Sequence, residues 1–326
     1  MSGQHKQQGV TLLELLIAVA LGALIVAGMS AVMRELRQTQ AAIQERNNLT
    51  EDGRFAMQRM VRALSHSRRL LLPLADKPST NWREQVREQT VPPSPPEGDS
   101  TNATAVLAVT VPEYIDLDAD GIPDADNDGD GRIDEDTPGD STWDLAPGIA
   151  LIDDDGDGSV DEGSFADDDD DEAQSVKDED PINGVDDDGD NNIDEDFGAD
   201  MNGDGCPGIC GVDDDGDGLI DEGSASDDDE DGKIDEDFYG TVVFYLDSGV
   251  IKERVPVPWD ISGGGLISGL DYIVSDIAAN VTRLRFERLL PAAGGPQLVD
   301  ITLELTGPDT GETVNLHTQI RLGGAL

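Results

Sequence analysis

Cysteine is nearly missing from this chain: 326 residues hold two, Cys206 and Cys210, in the run Cys-Pro-Gly-Ile-Cys. So few cannot form a disulfide framework, and without a second pair they do not make a cysteine zinc site. In an exported segment the two are expected to bridge; in a reducing compartment they stay two free thiols. Basic residues are scarce as well, 21 Lys and Arg against 71 Asp and Glu. A polyanion repels phosphates, so no nucleic-acid partner is expected. Catalytic groups are equally thin. His317 falls in a polar strand with no Ser or Cys nucleophile beside it and reads as an ordinary surface histidine. Nothing combines a nucleophile, a base and a pocket-forming motif, so the chain is not read as an enzyme.

The acidic surplus is concentrated. Residues 111–240 hold 51 of the acids against three bases, Arg132, Lys177 and Lys233, a surplus of 48 negative charges. The rest of the chain carries 20 acids against 18 bases and is nearly neutral. Averaging the charge over the whole length would wrongly class the protein as disordered.

One long apolar run is present. Residues 10–32 are apolar except for Thr11, Glu14 and Ser30, close to the roughly 20 residues that a bilayer-spanning helix needs. A cleaved secretory signal is the alternative, given Lys6 before the run and small residues after it. Glu14 argues against that alternative, because a carboxylate inside an apolar span costs about 2.5 to 3.5 kcal/mol and calls for a partner charge.

The string Gly9-Val10-Thr11-Leu12-Leu13-Glu14-Leu15-Leu16 resembles the cleavage and methylation motif of type IV prepilins and type II secretion pseudopilins. The resemblance implies cutting after Gly9 by a prepilin peptidase and an N-methylated Val10 as the mature N-terminus, where the family commonly has Phe. It also implies that Glu14, fifth in the mature chain, pairs with the terminal amine of a neighbouring subunit. Each of those charges is costly alone in lipid, and together they attract strongly. Inner-membrane insertion, and later assembly with other pilin or pseudopilin subunits into a periplasmic or extracellular filament, follow as expectations.

The helical pattern continues past the span, with Met57, Met60, Val61 and Leu64 on one face. Gly53 weakens it by about 1 kcal/mol relative to Ala and suggests a kink or break between Thr50 and Arg54; Pro73 marks its end. The helical segment 49–64 is similar to that of PilW-like minor pilins. Beyond a Pro-rich linker at residues 91–96, strands are read over 104–111, 241–246, 250–257, 281–289, 298–305 and 314–322. Asp247-Ser248-Gly249 makes a hairpin turn, and residues 306–311 make another. In 281–289, Leu284, Phe286 and Arg288 share a face. The expected fold is α+β: a long N-terminal helix on an antiparallel sheet, which is also the pilin architecture. The strand order is similar to PilW-like minor pilins and to J-type pseudopilins. The divisions are residues 1–9, leader; 10–72, helix; 73–112 with 239–326, head; and 113–238, insertion.

The insertion is periodic. D-x-D-x-D-[GN]-x-[IV]-D-E begins at Asp126, Asp153, Asp186, Asp213 and Asp227, with partial copies at Asp116 and Asp200. Copies recur 60 residues apart, Asp126 with Asp186 and Asp153 with Asp213, the mark of internal duplication. Acids at loop positions one, three and five converge on a hard cation, glycine at six allows the turn, and a branched residue at eight packs inward. The candidate ligands are Asp116, Asp118, Asp120 and Asp124; Asp126, Asp128, Asp130 and Asp134; Asp153, Asp155, Asp157 and Asp161; Asp186, Asp188, Asp190 and Asp194; Asp213, Asp215, Asp217 and Asp221; and Asp227, Asp229, Asp231 and Asp235. The inward residues are Ile133, Val160, Ile193, Ile220 and Ile234.

These loops resemble those of EF-hands and, more closely, of thrombospondin type 3 repeats. The resemblance implies several bound Ca2+ ions. The twelfth position lacks the EF-hand glutamate, so Glu135, Glu162, Glu195, Glu222 and Glu236 at the tenth stand as substitutes, with binding in the extracellular range of about 10⁻⁴ to 10⁻³ M. A purely solubilising acidic tract is the alternative, but such a tract has no need of Gly and Ile at fixed offsets. The expected function is a minor pilin with a calcium-stiffened insertion near the filament tip. A type II secretion pseudopilin, or a calcium-dependent adhesin contacting a surface or host ligand, are the other readings.

Overall fold

The computed structural model describes residues 12–73, 86–91, 105–112, 114–127, 133, 140–154, 159–161, 163–164, 204–207, 210–212, 218–227, 238–261, 263, 269–289 and 298–323, apart from the side chains of Glu14, Ala18 and Ala31. A single helix, α1 (Leu12–His66), runs 55 residues, about 80 Å at 1.5 Å per residue. Its two halves differ. Leu49, Ala56, Met60, Ala63 and Leu64 recur at helical spacing and are buried in the head, while Leu12 to Leu36 present large apolar side chains to the outside. The last turn is closed by Ser67, whose backbone and hydroxyl both donate to Ala63 O, and by Gly323 N donating to Leu64 O, so the terminal carbonyls have partners.

No break occurs at Gly53: the helix is continuous there. A Cβ on residue 53 would stand 2.6 Å from Leu316 Cδ1 and 2.9 Å from Leu305 Cδ1. Glycine therefore serves close approach between helix and sheet. The helix also stops at His66, seven residues before Pro73.

Nine strands follow among the described residues: β1 (Leu70–Leu72), β2 (Val86–Thr90), β3 (Val106–Thr110), β4 (Thr241–Asp247), β5 (Val250–Pro256), β6 (Tyr272–Ala278), β7 (Val281–Leu289), β8 (Leu298–Thr306) and β9 (Thr313–Arg321). They form two antiparallel sheets rather than the single one expected, ordered β1-β3-β4-β5-β6 and β2-β7-β8-β9. The architecture is α+β, with the C-terminal half of α1 packed on the sheets. In β8, Val299, Ile301, Leu303 and Leu305 point inward and alternate with half-buried residues, the pattern of a sheet with one covered face. One apolar cluster joins α1 to both sheets through Met60, Leu64, Leu107, Phe244, Phe286 and Ile301. Arg288 does not share the burial of Leu284 and Phe286; it is half-buried and reaches Pro73 O at 3.4 Å.

β3 is buried along its whole length because it is covered twice. Leu107 and Val109 face the helix side, whereas Val106 and Ala108 join Leu72 and Val243 in a second cluster with Ile149 and Ile152 from the acidic insertion. The insertion begins and ends at one register pair, Thr110 opposite Thr241. It therefore takes the place of the turn between adjacent strands, and the ladder extends one step into it through Val111 N to Gly240 O at 2.7 Å.

Candidate functional site

The first candidate region is the N-terminal half of α1. Gly9 and Val10 lie outside the described residues; Glu14 lies in the first turns of α1, its side chain outside the description. The helix is long and apolar enough to cross a membrane, and no part of its most apolar window is buried within the chain. A helix that is apolar all round and not covered by its own protein is suited to lipid or to other helices.

The second region is the acidic insertion. Its clearest loop starts at Asp116. Gly121 N donates to Asp116 Oδ2 at 3.1 Å, Ile122 N to Asp120 Oδ1 at 2.8 Å and Asp120 N to Asp118 Oδ1 at 3.2 Å. Gly121 stands at φ +96°, where a side chain would be strained. The turn aims the oxygens of Asp116, Asp118 and Asp120 to within 4.8 Å of one another. Asp124, which accepts from Leu117 N at 3.1 Å, is held above the usual carboxylate range by burial and by these three neighbours. Hard oxygen donors gathered like this suit a hard cation, which would offset their mutual repulsion.

Behind the loop, residues 140–154 dock on the outer face of β3 and β4. The Asp140 carboxylate accepts from Leu145 N at 2.8 Å and Asp144 N at 3.2 Å. Asp144 in turn accepts from Ala150 N at 2.7 Å and Ala146 N at 3.2 Å, and Asp154 from Ile149 N at 2.7 Å. From the sheet, buried Arg254 donates to Ala150 O at 2.7 Å, lies 3.8 Å over the Tyr272 ring and comes within 3.9 Å of Asp144. Arg87 donates to Asp153 O at 2.6 Å. Burial pushes the Asp144 carboxyl up to about 6 against the Ala150 hydrogen bond, which acts the other way; it likewise raises Asp140 and lowers Arg254. A cavity remains between insertion and sheet, lined by Asp118, Asp120, Asp126, Asp144, Arg254 and Tyr272.

The predicted ligands are distributed unevenly. Asp126, Asp153 and Asp227, each at position one of its loop, are buried. Asp161 and Asp221, at position nine, accept from Leu151 N at 2.8 Å and Gly211 N at 2.7 Å; burial raises the Asp161 carboxyl. Asp128, Asp130, Asp134, Asp155, Asp157, Asp186, Asp188, Asp190, Asp194, Asp213, Asp215, Asp217, Asp229, Asp231 and Asp235 lie outside the described residues. Of the position-eight residues, Ile133 packs against the core and Val160 is half-buried, but Ile220 is 57% exposed and does not pack inward. Cys206 and Cys210 form a disulfide, so their sulfurs are not metal ligands. Sequence reasoning missed Asp140, Asp144, Arg87 and Arg254; the signal for Asp144 was present, since Asp144-x-Ala-Pro-Gly-Ile-Ala recurs 60 residues on as Asp204-x-Cys-Pro-Gly-Ile-Cys.

Among known proteins, the family model of the prokaryotic N-terminal methylation motif matches residues 4–30. No curated protein and no solved structure matches the chain. The family is structural rather than enzymatic, and its motif implies processing by a prepilin peptidase and assembly with other pilin subunits. From Leu12 on, the matched residues lie in the helix that carries the head, and the motif together with that helix supports a type IV pilin-like protein, a pilin or pseudopilin.

Proposed function

We propose that the chain is a minor pilin of a type IV pilus, cut after Gly9, methylated on Val10 and held in or near the filament tip through α1, with an insertion that binds several Ca2+ ions. The observation that carries this reading is the site of the insertion. It leaves the head between two paired strand ends, Thr110 and Thr241, and docks Ile149 and Ile152 on the sheet face opposite the α1 side, while Ile115, Ala125 and Ile133 reach the core only near the C-terminal end of α1, where Tyr114 meets His66. A large appendage there leaves the helix free to assemble. Its charge would crowd a filament shaft of identical neighbours, because surfaces of one sign repel, and this supports a minor position.

The residues present fit calcium. Asp116, Asp118 and Asp120 offer converging carboxylate oxygens on a turn held by backbone amides. The cation would supply charge neutralisation to a segment with 48 surplus negative charges, so binding energy becomes folding energy. The loops would thereby be stiffened for display to a surface or host ligand.

Three experiments test the reading. Mass spectrometry of the mature protein is expected to find an N-methylated Val10 as the first residue; any other first residue contradicts the processing. A Glu14→Leu variant is expected to enter filaments at least tenfold less than the native chain, and equal incorporation contradicts the docking of Glu14 on a neighbour's amine. Deleting residues 112–238 separates display from assembly: intact piliation with lost adhesion supports display, and loss of the filament itself supports a structural role. The type II secretion pseudopilin shares the same motif and would show no surface pili.

A further inference from the structure

The duplication extends beyond the acidic loops, and its two copies are built alike but held differently. Residues 144–164 and 204–224 align without gaps and are identical at 14 of 21 positions. Their geometry repeats as well. Asp144 accepts from the amides of residues 146 and 150 at 3.2 and 2.7 Å; Asp204 accepts from those of 206 and 210, both at 2.9 Å. Asp161 takes the amide of Leu151 and Asp221 that of Gly211. Both of those aspartates stand at φ 56°, and Gly163 and Gly223 at 116° and 115°.

The surroundings do not repeat. In the first copy Ala146, Ile149, Ala150 and Ile152 are buried, the two isoleucines against β3 and β4, and Arg254 holds Ala150 O. In the second, Val212, the counterpart of Ile152, is 43% exposed against 3%, and Cys210 is exposed where Ala150 is buried. Among the described residues, neither apolar cluster includes a side chain from 204–227. Among the positions that differ at the turn, Ala146 and Ala150 become Cys206 and Cys210, joined as a disulfide, and Leu145 and Leu151 become Gly205 and Gly211.

We infer that the Cys206–Cys210 bond does for the second copy what sheet docking does for the first, so that residues 204–224 form a covalently stapled unit independent of the head and selectively released by reduction. The physical reason is entropy. A short turn of which, among the described residues, Pro207 alone is buried has little to offset the cost of ordering its backbone, about 1 to 2 kcal/mol per residue, and a cross-link lowers that cost by restricting the unfolded turn. A dithiol reductant supplies two electrons and two protons, leaves two thiols on the protein and itself closes to a disulfide. Restricting the turn also fixes Gly211, whose amide holds Asp221, so the downstream acidic loop loosens with it.

The test is hydrogen exchange read by mass spectrometry on the full-length protein in detergent, once with chelator and once with calcium. Upon addition of dithiothreitol, or in a Cys206→Ala/Cys210→Ala variant, the peptide over residues 204–212 is expected to exchange at least tenfold faster. The peptide over 144–152 is expected to change less than twofold. Unchanged protection of 204–212 would overturn the inference, since alanine suffices in the first copy only because of docking. Joint loosening of both peptides would overturn the independence of the two. The reciprocal variant Ile152→Ser, with Arg254→Met in reserve should it fail to fold, is expected to loosen 144–152 alone; loosening of neither peptide would remove the docking half of the argument.

Discussion

The head and the insertion handle charge in opposite ways. In the head, charged side chains come in pairs: Arg59 makes a two-pronged bond to Glu253 at 2.7 to 3.1 Å, Arg283 reaches Glu88 at 2.6 Å, and Lys252 lies 3.2 Å from Asp276. The insertion instead gathers acids with few bases among them. The difference teaches where each region finds its stability. The head buries aliphatic side chains and would fold in plain buffer, each fully buried Leu or Phe contributing roughly 1.5 to 3 kcal/mol. Among its described residues the insertion buries few apolar groups outside its docked stretch, so it depends on neutralisation, on the sheet beneath it, or on its disulfide.

That contrast can be broken at single residues. The largest effect is expected from Arg59→Ala. Glu253 is nearly buried and would lose its bidentate partner, at a cost of about 2 to 3 kcal/mol after allowing for the partial exposure of Arg59. Thermal or urea unfolding of the head would show it, and an unchanged midpoint would mean that the pair is idle. Smaller is the pH dependence set by Asp144. Its folded value near 6 lies above the ordinary 3.8, so the folded state holds a proton that the unfolded one releases. The associated stability is fully present below pH 4 and is lost as pH rises through 6, in all roughly 2 kcal/mol. Comparing native chain and Asp144→Asn by hydrogen exchange of residues 144–152 between pH 4.5 and 7 isolates this slope, and parallel profiles would contradict it. Least of all, His317→Ala should move stability by under about 0.5 kcal/mol, because the His317–Asp300 contact of 2.8 Å is largely solvent-exposed.

The same contrast explains what was legible in the sequence. The helix, the hairpin of β4 and β5, and strands β7 to β9 follow from apolar periodicity, since their burial is set by the residues themselves. β2, Val86-Arg87-Glu88-Gln89-Thr90, has no such period and is held as a strand by its pairing with β7. β6 leaves Ile273 and Val274 exposed and so carries no alternation to read. The role of Gly53 was hidden because a glycine that weakens a helix and a glycine that admits two leucines look alike until the sheet is in place. The insertion's acidic register was plain, but its anchoring was not: Ile149 and Ile152 are two apolar residues among acids, and only the outer face of β3 and β4 makes them core. The equivalence of Ala146 and Ala150 with the cysteines lies outside the acidic repeat.

The most direct test of this two-part account is hydrogen exchange of the full-length protein with calcium and with excess chelator. The account predicts that strands β3 to β5 and β7 to β9 keep their protection in both, whereas residues 114–127 lose theirs by at least tenfold when the cation is removed. Equal protection of residues 114–127 in the two conditions would contradict it.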